Sequence, residues 1–413
     1  MNDRGGFAAL DPCVHCGFCL QACPTFLVTG DEADGPRGRI ELMRSLERGL
    51  IASDDPGLQF HLDRCLGCRG CEPVCPSGVG YGRGLEAARE RIAETRTPPL
   101  IARLALWFLT TPLISRFVYA AVRLLRTSGL PGRLAGSGRI GFAMGMLAAT
   151  RHSELGIRDS YTSQQSLIPN PRFPALLFSG CVMEGLFSHV HAATIRTLAV
   201  NAYRTEVPAG QVCCGALHAH AGLVEPAREL ARRNLDAFGD GDETIVVNSA
   251  GCGALLKDYA HLLPDDPRAA RFAARVRDVS ELLAEAGPAP AKHPGARVAY
   301  DPPCHLLHAQ RVADAPLKVL RSIEGLTLVS VPDAEKCCGS AGLYTVVESG
   351  LSKSVLAGKA AKIGEAGPDV VLTGNPGCIM QIGAGLAGAP RAIPVRHPVE
   401  VLDEAYAFAG RYG

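Results

Sequence analysis

The stretch from Cys65 to Pro76 reads CLGCRGCEPVCP, and its cysteines follow the spacing C-x2-C-x2-C-x3-C-P. Three thiols set two residues apart can wrap one iron–sulfur cube from a tight loop, and this spacing is typical of [4Fe–4S] binding. The fourth cysteine, followed by proline, leaves the loop where we expect a helix to begin. In two-cluster proteins this fourth cysteine ligates the other cluster, so the stretch needs a partner.

The partner is the stretch from Cys13 to Pro24, CVHCGFCLQACP, which has the same spacing. Two such runs in one chain favour iron–sulfur binding over structural thiols or a zinc site. Exchange of the fourth cysteines predicts two [4Fe–4S] clusters with four ligands each. The predicted ligands are Cys13, Cys16, Cys19 and Cys75 for the first cluster, and Cys65, Cys68, Cys71 and Cys23 for the second.

Composition bounds the class of protein. The 413 residues are enough for two or three domains. The 42 basic and 41 acidic residues nearly balance, which argues against a nucleic-acid partner. The sixteen cysteines have metal-type spacings, and Met1 to Phe7 lacks the apolar core of a signal peptide, so we expect a reducing cytoplasm. No uncharged apolar run reaches the roughly 18 residues of a spanning helix.

Residues 1–95 are predicted to form a helical two-cluster unit like that of ferredoxins. An apolar helical pattern opens after Gly35 and ends near Gly49, and a second helix is predicted from Leu85 to about Thr95. Arg37 and Arg39 lie between the two cysteine runs, where they could tune a cluster or touch a partner. The simpler interpretation is a solvated helix start, and we adopt it here.

Residues 96–172 form a basic, apolar segment. No acidic residue occurs between Glu94 and Glu154, whereas eight arginines do, and the chain's only tryptophan, Trp107, lies among them. The uncharged run from Leu104 to Ser115 is too short to span a bilayer. A helical pair of this kind suits a peripheral membrane contact or an interface with another protein chain, and the alternative is a linker that packs on the core.

The run Gly136 to Gly141 matches G-x-G-x-x-G, the fingerprint of dinucleotide binding. That fingerprint requires a buried strand before it, because the helix after the strand receives the pyrophosphate. The preceding residues Leu130 to Leu134, LPGRL, indicate a turn. We therefore interpret the match as chance.

From about Pro174 the pattern alternates between short apolar runs and helices, which predicts α/β layers with mostly parallel sheets. The predicted strands are Ala175–Phe178, Thr244–Val247, Arg297–Tyr300 and Val370–Leu372. The predicted helices cover 185–200, 222–238, 348–364 and 398–409. The fold class is therefore mixed, with a helical N-terminal unit followed by α/β domains.

The remaining cysteines reveal an internal duplication. Each half contains one cysteine, then Cys-Cys-Gly, then a last cysteine, and equivalent cysteines lie 123 to 126 residues apart. The two sets are Cys181, Cys213, Cys214 and Cys252, and Cys304, Cys337, Cys338 and Cys378. Each first and each last cysteine follows a predicted strand, so the four thiols of each half are expected to converge at the carboxyl edge of a sheet.

The duplicated motif resembles the cysteine-rich CCG domain of heterodisulfide reductases and their relatives. The whole arrangement, two ferredoxin-type runs followed by two such domains, resembles the family of glycolate oxidase (glycolate dehydrogenase) iron–sulfur subunits. This resemblance implies domains at 1–95, 96–172, 173–290 and 291–413, namely the two-cluster unit, the linker and two CCG domains. The iron–sulfur subunit of anaerobic glycerol-3-phosphate dehydrogenase has a similar layout.

The sequence departs from the fullest CCG pattern, which ends each domain in C-x-x-C. Here Cys252 is followed by Gly-Ala-Leu and Cys378 by Ile-Met-Gln, so each half offers four thiols instead of five. Four thiols could hold one further cluster, form a redox-active thiol site or persist as a structural relic. Four histidines lie near these motifs, and we favour polar packing over a ligand role for them: His218, His220, His305 and His308.

The expected function is electron relay without a catalytic residue in this chain. No flavin or nicotinamide fingerprint is found, yet oxidation of a hydroxyl group removes two electrons as hydride, so a partner must supply a flavin. By resemblance, an FAD-containing flavoprotein oxidises glycolate to glyoxylate, and a quinone or another membrane acceptor receives the electrons. The alternatives are a lactate or anaerobic glycerol-3-phosphate dehydrogenase partner, or a heterodisulfide or disulfide reductase. We expect a cytoplasmic protein that could lie peripherally on the inner face of the membrane.

Overall fold

The computed structural model describes residues 5–136, 138–151, 173–388 and 391–412. It consists of a helical N-terminal unit, a helical linker and two four-stranded sheets. Strands are numbered β1–β8 and α-helices α1–α21 along the chain. The sheets carry the duplicated cysteines, and the N-terminal unit packs against their carboxyl edges.

From residue 5 onward, the N-terminal unit has four α-helices around its own apolar core, which includes Leu10, Met43 and Leu62. Its helices are α1 (Pro24–Thr29), α2 (Pro36–Glu47), α3 (Pro56–Asp63) and α4 (Tyr81–Thr95). Proline opens three of them, because it lacks the N–H that would be unsatisfied in the first turn. Cys23 is the N-cap of α1, as the Cys-Pro pattern predicts. The corresponding expectation for Cys75 is wrong, since turns follow it and α4 begins only at Tyr81.

The described part of the linker, up to residue 151, contains four α-helices: α5 (Leu100–Thr110), α6 (Pro112–Thr127), α7 (Leu130–Leu134) and α8 (Arg139–Ala148). The predicted turn at Leu130–Leu134 is therefore a short helix, and no strand precedes the glycine-rich run. Among the described residues, no single helix is both long and apolar enough to cross a membrane. The pair α5 and α6 meets the length and composition test only when taken together, and it is bent by 100°.

The first sheet is fully parallel, with strand order β2-β1-β3-β4. Its strands are β1 (Phe173–Phe178), β2 (Tyr203–Glu206), β3 (Thr244–Val247) and β4 (Val276–Asp278). The helices that accompany it are α9 (Val182–Leu186), α10 (Ser188–Val200), α11 (Ala216–His220), α12 (Val224–Phe238), α13 (Ala250–Leu256), α14 (Tyr259–Leu262), α15 (Pro267–Arg275) and α16 (Val279–Ala286).

The second sheet repeats this topology, with parallel strands in the order β6-β5-β7-β8. Its strands are β5 (Ala291–Tyr300), β6 (Ile323–Val329), β7 (Val370–Leu372) and β8 (Val395–Arg396). The helices are α17 (Asp314–Arg321), α18 (Tyr344–Val347), α19 (Ser349–Ala366), α20 (Pro376–Leu386) and α21 (Pro398–Phe408), with one π-helical turn at His305–Ala309.

The prediction of mostly parallel α/β layers is confirmed, and all four predicted strands exist. The four missed strands, β2, β4, β6 and β8, lie at the edges of the sheets. They lack a continuous apolar run: β2 reads YRTE and β4 reads VRD. Strands β4 and β8 are only three and two residues long, so they are too short to show a periodic pattern.

The two halves share one apolar core, with contributions from both sheets. Between them, the Arg196 guanidinium donates to the Asp403 carboxylate from Nε (2.9 Å) and Nη2 (2.6 Å), and both side chains are buried. At the strand ends, the Ala250 N–H donates to the Gly374 carbonyl at 3.0 Å. The carboxyl edges of the two sheets therefore meet.

Candidate iron–sulfur relay

The two ferredoxin-type loops have the same backbone conformation. His15 and Gly17 adopt left-handed φ values of 56° and 84°, and the equivalent Gly67 and Arg69 adopt 62° and 59°. These two left-handed residues curl each loop, so its first three cysteines can face one point. Non-glycine residues rarely adopt this conformation outside tight, functional turns.

The structure brings together Cys13, Cys16, Cys19 and Cys75, which we call the outer group. All four line one cavity, which Cys71, Arg37 and Ile40 also line. Burial raises the pKa of the Cys19 thiol to about 11, and the neighbouring thiols of Cys13, Cys75 and Cys16 add to the rise. The Cys16 side chain is exposed, so this group lies at the surface of the chain.

Cys23, Cys65, Cys68 and Cys71 form the inner group. Burial raises the pKa of Cys71 well above its usual range, and the charges of Cys68, Cys65 and Cys23 act in the same direction. The hydroxyl of Tyr81 donates to Cys65 Sγ at 3.4 Å, and Cys23 Sγ lies 3.2 Å from Thr25 Oγ1. The fourth cysteine of each run thus lies with the first three of the other run.

Arg39 is not at a solvated helix start, and that prediction is wrong. Its side chain is 1% exposed and donates from Nε to the His61 carbonyl (2.7 Å) and from Nη1 to Thr25 Oγ1 (3.0 Å). It forms an ion pair with the buried Asp34 and places a positive charge beside the thiols of the inner group. Its burial results from the packing of α2 onto α3, and no local sequence pattern predicts that packing. Arg37 is half-buried and donates to the His15 carbonyl at 3.1 Å.

The duplicated cysteines converge as predicted, and we call them the first repeat group (Cys181, Cys213, Cys214 and Cys252) and the second repeat group (Cys304, Cys337, Cys338 and Cys378). Cys181 Sγ lies 3.5 Å from Cys213 Sγ, and Cys304 Sγ lies 3.9 Å from Cys337 Sγ. The missed strands explain the convergence: β2 and β6 deliver the Cys-Cys pairs to the same sheet edges as the other cysteines. All eight thiols line one shared cavity of about 180 Å³ between the halves.

Glycine is required after each Cys-Cys pair. Gly215 and Gly339 adopt left-handed φ values of 91° and 85°. A Cβ atom on Gly339 would lie 2.6 Å from the Ser352 carbonyl oxygen, and one on Gly215 would lie 3.3 Å from Ala227. The Cys-Cys-Gly motif therefore forms a tight turn that packs against α12 in the first half and against α19 in the second.

The inner group and the second repeat group touch each other. Cys68 packs against the apolar cluster that contains Cys337, and the interaction of the two thiols lowers the pKa of Cys68 and raises that of Cys337. Beside this contact, the His305 ring lies near the backbone of Gly67, and the Tyr344 hydroxyl donates to the Arg64 carbonyl at 3.1 Å. The four thiol groups thus form one series from the exposed outer group to the shared cavity.

The two repeat groups differ in electrostatics, a feature that the cysteine spacing did not reveal. Lys359 Nζ forms a buried ion pair with Asp301 next to Cys338 and Cys378, and Asp301 raises the pKa of Lys359 against the effect of burial. Beside the first repeat group, the buried Asn234 donates from Nδ2 to the Cys213 carbonyl at 3.1 Å. The second repeat group therefore has a buried ion pair beside it, and the first has a buried neutral amide.

The four histidines pack as polar groups at the junction. The rings of His220 and His305 stack with centroids 5.3 Å apart, and burial lowers their pKa values to about 3 and about 4. His308 Nε2 lies 3.1 Å from the Glu335 carbonyl. Burial also lowers the pKa values of His218 and His308, so all four favour the neutral form.

These residues fit iron–sulfur clusters. All sixteen cysteines lie in the described ranges, none forms a disulfide, and they occur in four groups of four. Iron is ligated by thiolates, so each cysteine thiol must lose its proton on binding. Uncrosslinked thiols that tight turns bring together, most of them wholly or partly buried, therefore have the required chemistry.

Comparison with known families agrees with the geometry. Residues 9–79 match the family of the 4Fe-4S dicluster domain, and residues 175–257 and 298–383 each match the family of the cysteine-rich domain, CCG. The chain therefore contains a two-cluster unit followed by two CCG domains and carries iron–sulfur clusters.

Similar proteins cover almost the whole chain. It is 35% identical to the "Probable glycolate oxidase iron-sulfur subunit" of Bacillus subtilis (95% of this chain, 93% of the relative) and 33% identical to the "Glycolate oxidase iron-sulfur subunit" of Escherichia coli (96% and 94%). It is also 32% identical to "Lactate utilization protein A" of Geobacillus kaustophilus, over 55% of this chain and 97% of that protein.

Proposed function

Because this chain belongs to the family of glycolate oxidase iron–sulfur subunits, we propose that it passes electrons from an FAD-containing flavoprotein towards a quinone-type acceptor. The partner oxidises glycolate to glyoxylate and transfers two electrons and their protons to its flavin. When bound, [4Fe–4S] clusters accept and release electrons singly. This chain contributes the ligands, the order of the sites and their electrostatic environment.

We assign the outer group to one [4Fe–4S] cluster and the inner group to the other. The support is the crosswise arrangement: Cys75 lies with Cys13, Cys16 and Cys19, while Cys23 lies with Cys65, Cys68 and Cys71. Interlocked runs hold the two sites at a fixed separation. Domains are assigned as predicted, with the two-cluster unit at 1–95, the linker at 96–172 and the CCG domains at 173–290 and 291–413.

Each repeat group is proposed to bind a further cluster, with a redox-active thiol site as the alternative. Four thiols converge in each half, and Gly215 and Gly339 bring the backbone close to them. Anaerobically prepared protein with about eight iron atoms per chain would limit the clusters to the two-cluster unit, whereas a clearly higher content supports further clusters.

The observation that carries the relay proposal is the contact between Cys68 and Cys337. It joins the two-cluster unit to the CCG domains, so an electron at the inner group is next to the second repeat group.

The experiment is anaerobic purification with whatever co-purifies, followed by addition of glycolate. We expect flavin bleaching, then EPR signals of reduced clusters assigned to this chain. Bleached flavin with fully oxidised clusters would refute the relay. A screen of other 2-hydroxy acids tests the donor, because the similarity to Lactate utilization protein A favours lactate as the second candidate.

The second candidate function, from another class, is disulfide reduction, and the shared cavity favours it because all eight repeat thiols line one space. This function requires the isolated chain to reduce a disulfide catalytically when dithionite supplies the electrons. The relay predicts no such turnover. We further propose a cytoplasmic location, peripheral on the inner face of the membrane, where a quinone acceptor resides.

A further inference from the structure

Helix α6 is amphipathic, but its apolar side faces away from the protein. Its apolar stripe of Leu113, Phe117 and Leu124 has spacings of four and seven residues and points away from the protein, with 71%, 74% and 73% of these side chains exposed. A helix that packs on a globular core normally turns this stripe inward. Here the apolar stripe has no cover in the described part of the chain.

The arginines of α6 hold the helix to the protein instead. Arg123 donates from Nε to the Gly185 carbonyl at 2.7 Å, and Arg126 donates from Nη1 to the Leu186 carbonyl at 2.9 Å. Tyr119 also faces inward and closes on Gly185, where a Cβ atom would lie 2.4 Å from its ring. These specific contacts fix the orientation of α6. The exposure of its apolar stripe is therefore a property of the folded structure.

The neighbouring helix also has exposed apolar side chains. On α5, Ala102 and Leu106 are buried, while Leu104 and Trp107 are exposed at 53% and 54%. Trp107 stands one turn before the break between α5 and α6. We call Leu104, Trp107, Leu113, Phe117 and Leu124, together with the exposed Arg116, the outward face.

Charge identifies what covers the outward face. Residues 95–136 and 138–151 contain no acidic side chain, and Arg103, Arg116, Arg133 and Arg139 are exposed on this series of helices. A protein partner would meet this surface with acidic groups at a few positions. A membrane meets it with a continuous sheet of anionic headgroups and an apolar layer beneath, and tryptophan favours that boundary.

We infer that the outward face docks on an anionic lipid surface, with α5 and α6 lying in the interface. The bend of 100° and the length of each helix suit helices that lie along a membrane. The inward side of α6 contacts α9, which begins directly after Cys181. Docking here brings the first repeat group close to the membrane, where a quinone would meet it. The inference deepens the proposed location and rests on it, but it does not depend on electron relay.

Trp107 is the only tryptophan, so its fluorescence reports this surface directly. The complete chain, purified anaerobically with its clusters, is titrated with vesicles of phosphatidylcholine containing phosphatidylglycerol. We expect a blue shift, quenching by brominated acyl chains, and affinity at least about tenfold higher than for phosphatidylcholine alone. Equal affinity for the two vesicle types, or absence of binding to either, would overturn the inference.

Two sets of variants make the test specific. Phe117→Ser with Leu124→Ser is expected to weaken vesicle binding by about tenfold or more, because both side chains enter the apolar layer. The matched control is Leu50→Ser with Phe408→Ser, two other exposed apolar residues, and it should bind like the original chain. If the first double variant binds vesicles normally but loses the co-purifying flavoprotein, the face belongs to a protein partner and the inference is wrong.

Discussion

Cys68 packs against the cluster that contains Cys337, although 269 sequence positions separate the two residues. One belongs to the inner group and the other to the second repeat group, so the contact joins the two-cluster unit to the second CCG domain. The contact sets an order of sites that runs from the outer group through the inner group to the shared cavity.

Tyr81 is expected to tune the inner group through its bond to sulfur. Its hydroxyl donates to Cys65 Sγ at 3.4 Å, and such bonds stabilise the reduced, more negative cluster. Tyr81→Phe should lower one midpoint potential by about 20–60 mV, the equivalent of one hydrogen bond for a one-electron couple. Potentiometric titration followed by EPR measures it. Tyr344→Phe is the control, because that hydroxyl bonds the Arg64 carbonyl, and an equal shift there would refute the assignment.

Gly339 is expected to be indispensable to the second repeat group. Gly339→Ala forces an alanine into a left-handed conformation and a clash with the Ser352 carbonyl. We therefore predict that the free energy of unfolding falls by about 2 kcal/mol or more and that the iron content is lower. Gly358→Ala is the matched control, since that glycine lies exposed within α19 with nothing near its Cβ position. The control variant should gain about 1 kcal/mol in its free energy of unfolding. If both variants changed stability by the same amount, the left-handed turn at Gly339 would not require glycine.

The buried pair between Arg196 and Asp403 is expected to hold the two halves together. Arg196→Leu leaves the buried Asp403 carboxylate without its cation, and breaking such a pair costs about 3–5 kcal/mol. The exposed pair of Arg204 and Glu206 is the control, and Arg204→Leu should change stability by less than about 1 kcal/mol. Anaerobic thermal unfolding compares the two. Similar melting temperatures for both variants would show that the Arg196 pair does not secure the interface.

His397 is expected to make the chain less stable in acid. Its Nδ1 accepts the Val399 N–H at 3.1 Å, so Nε2 carries the proton donated to the Asn248 carbonyl, and burial lowers the pKa to about 4. The unfolded state binds a proton near pH 6.5, so stability is present above that pH and is lost as pH falls towards 4.

Between pH 7 and pH 5 this histidine should cost about 2 kcal/mol of stability. His397→Asn keeps a helix-capping acceptor but does not titrate. The variant should therefore show a shallower pH dependence in denaturant unfolding, even if it is less stable at pH 7. Parallel pH profiles for the two proteins would rule out His397 as the source.

The sequence predicted most of what local spacing can encode. The two cysteine runs, the Cys-Cys-Gly repeats and the central strands each depend on residues close together in the chain. The burial of Arg39 and the ion pair of Lys359 with Asp301 depend on packing between distant elements, for which one sequence offers no periodic signal. The same holds for the contact between Cys68 and Cys337, since nothing in either motif indicates which groups face each other.

The relay through Cys68 is the central claim, and stopped-flow mixing of the purified complex with glycolate and then with a water-soluble quinone tests it most directly. Cys68→Ala should leave flavin reduction by glycolate unchanged and slow flavin reoxidation by quinone by about a hundredfold or more, because the inner group loses a ligand and its contact with Cys337. Val14→Ala, an exposed change in the other loop, should leave both rates unchanged. Flavin reoxidation at the original rate in Cys68→Ala would contradict the relay.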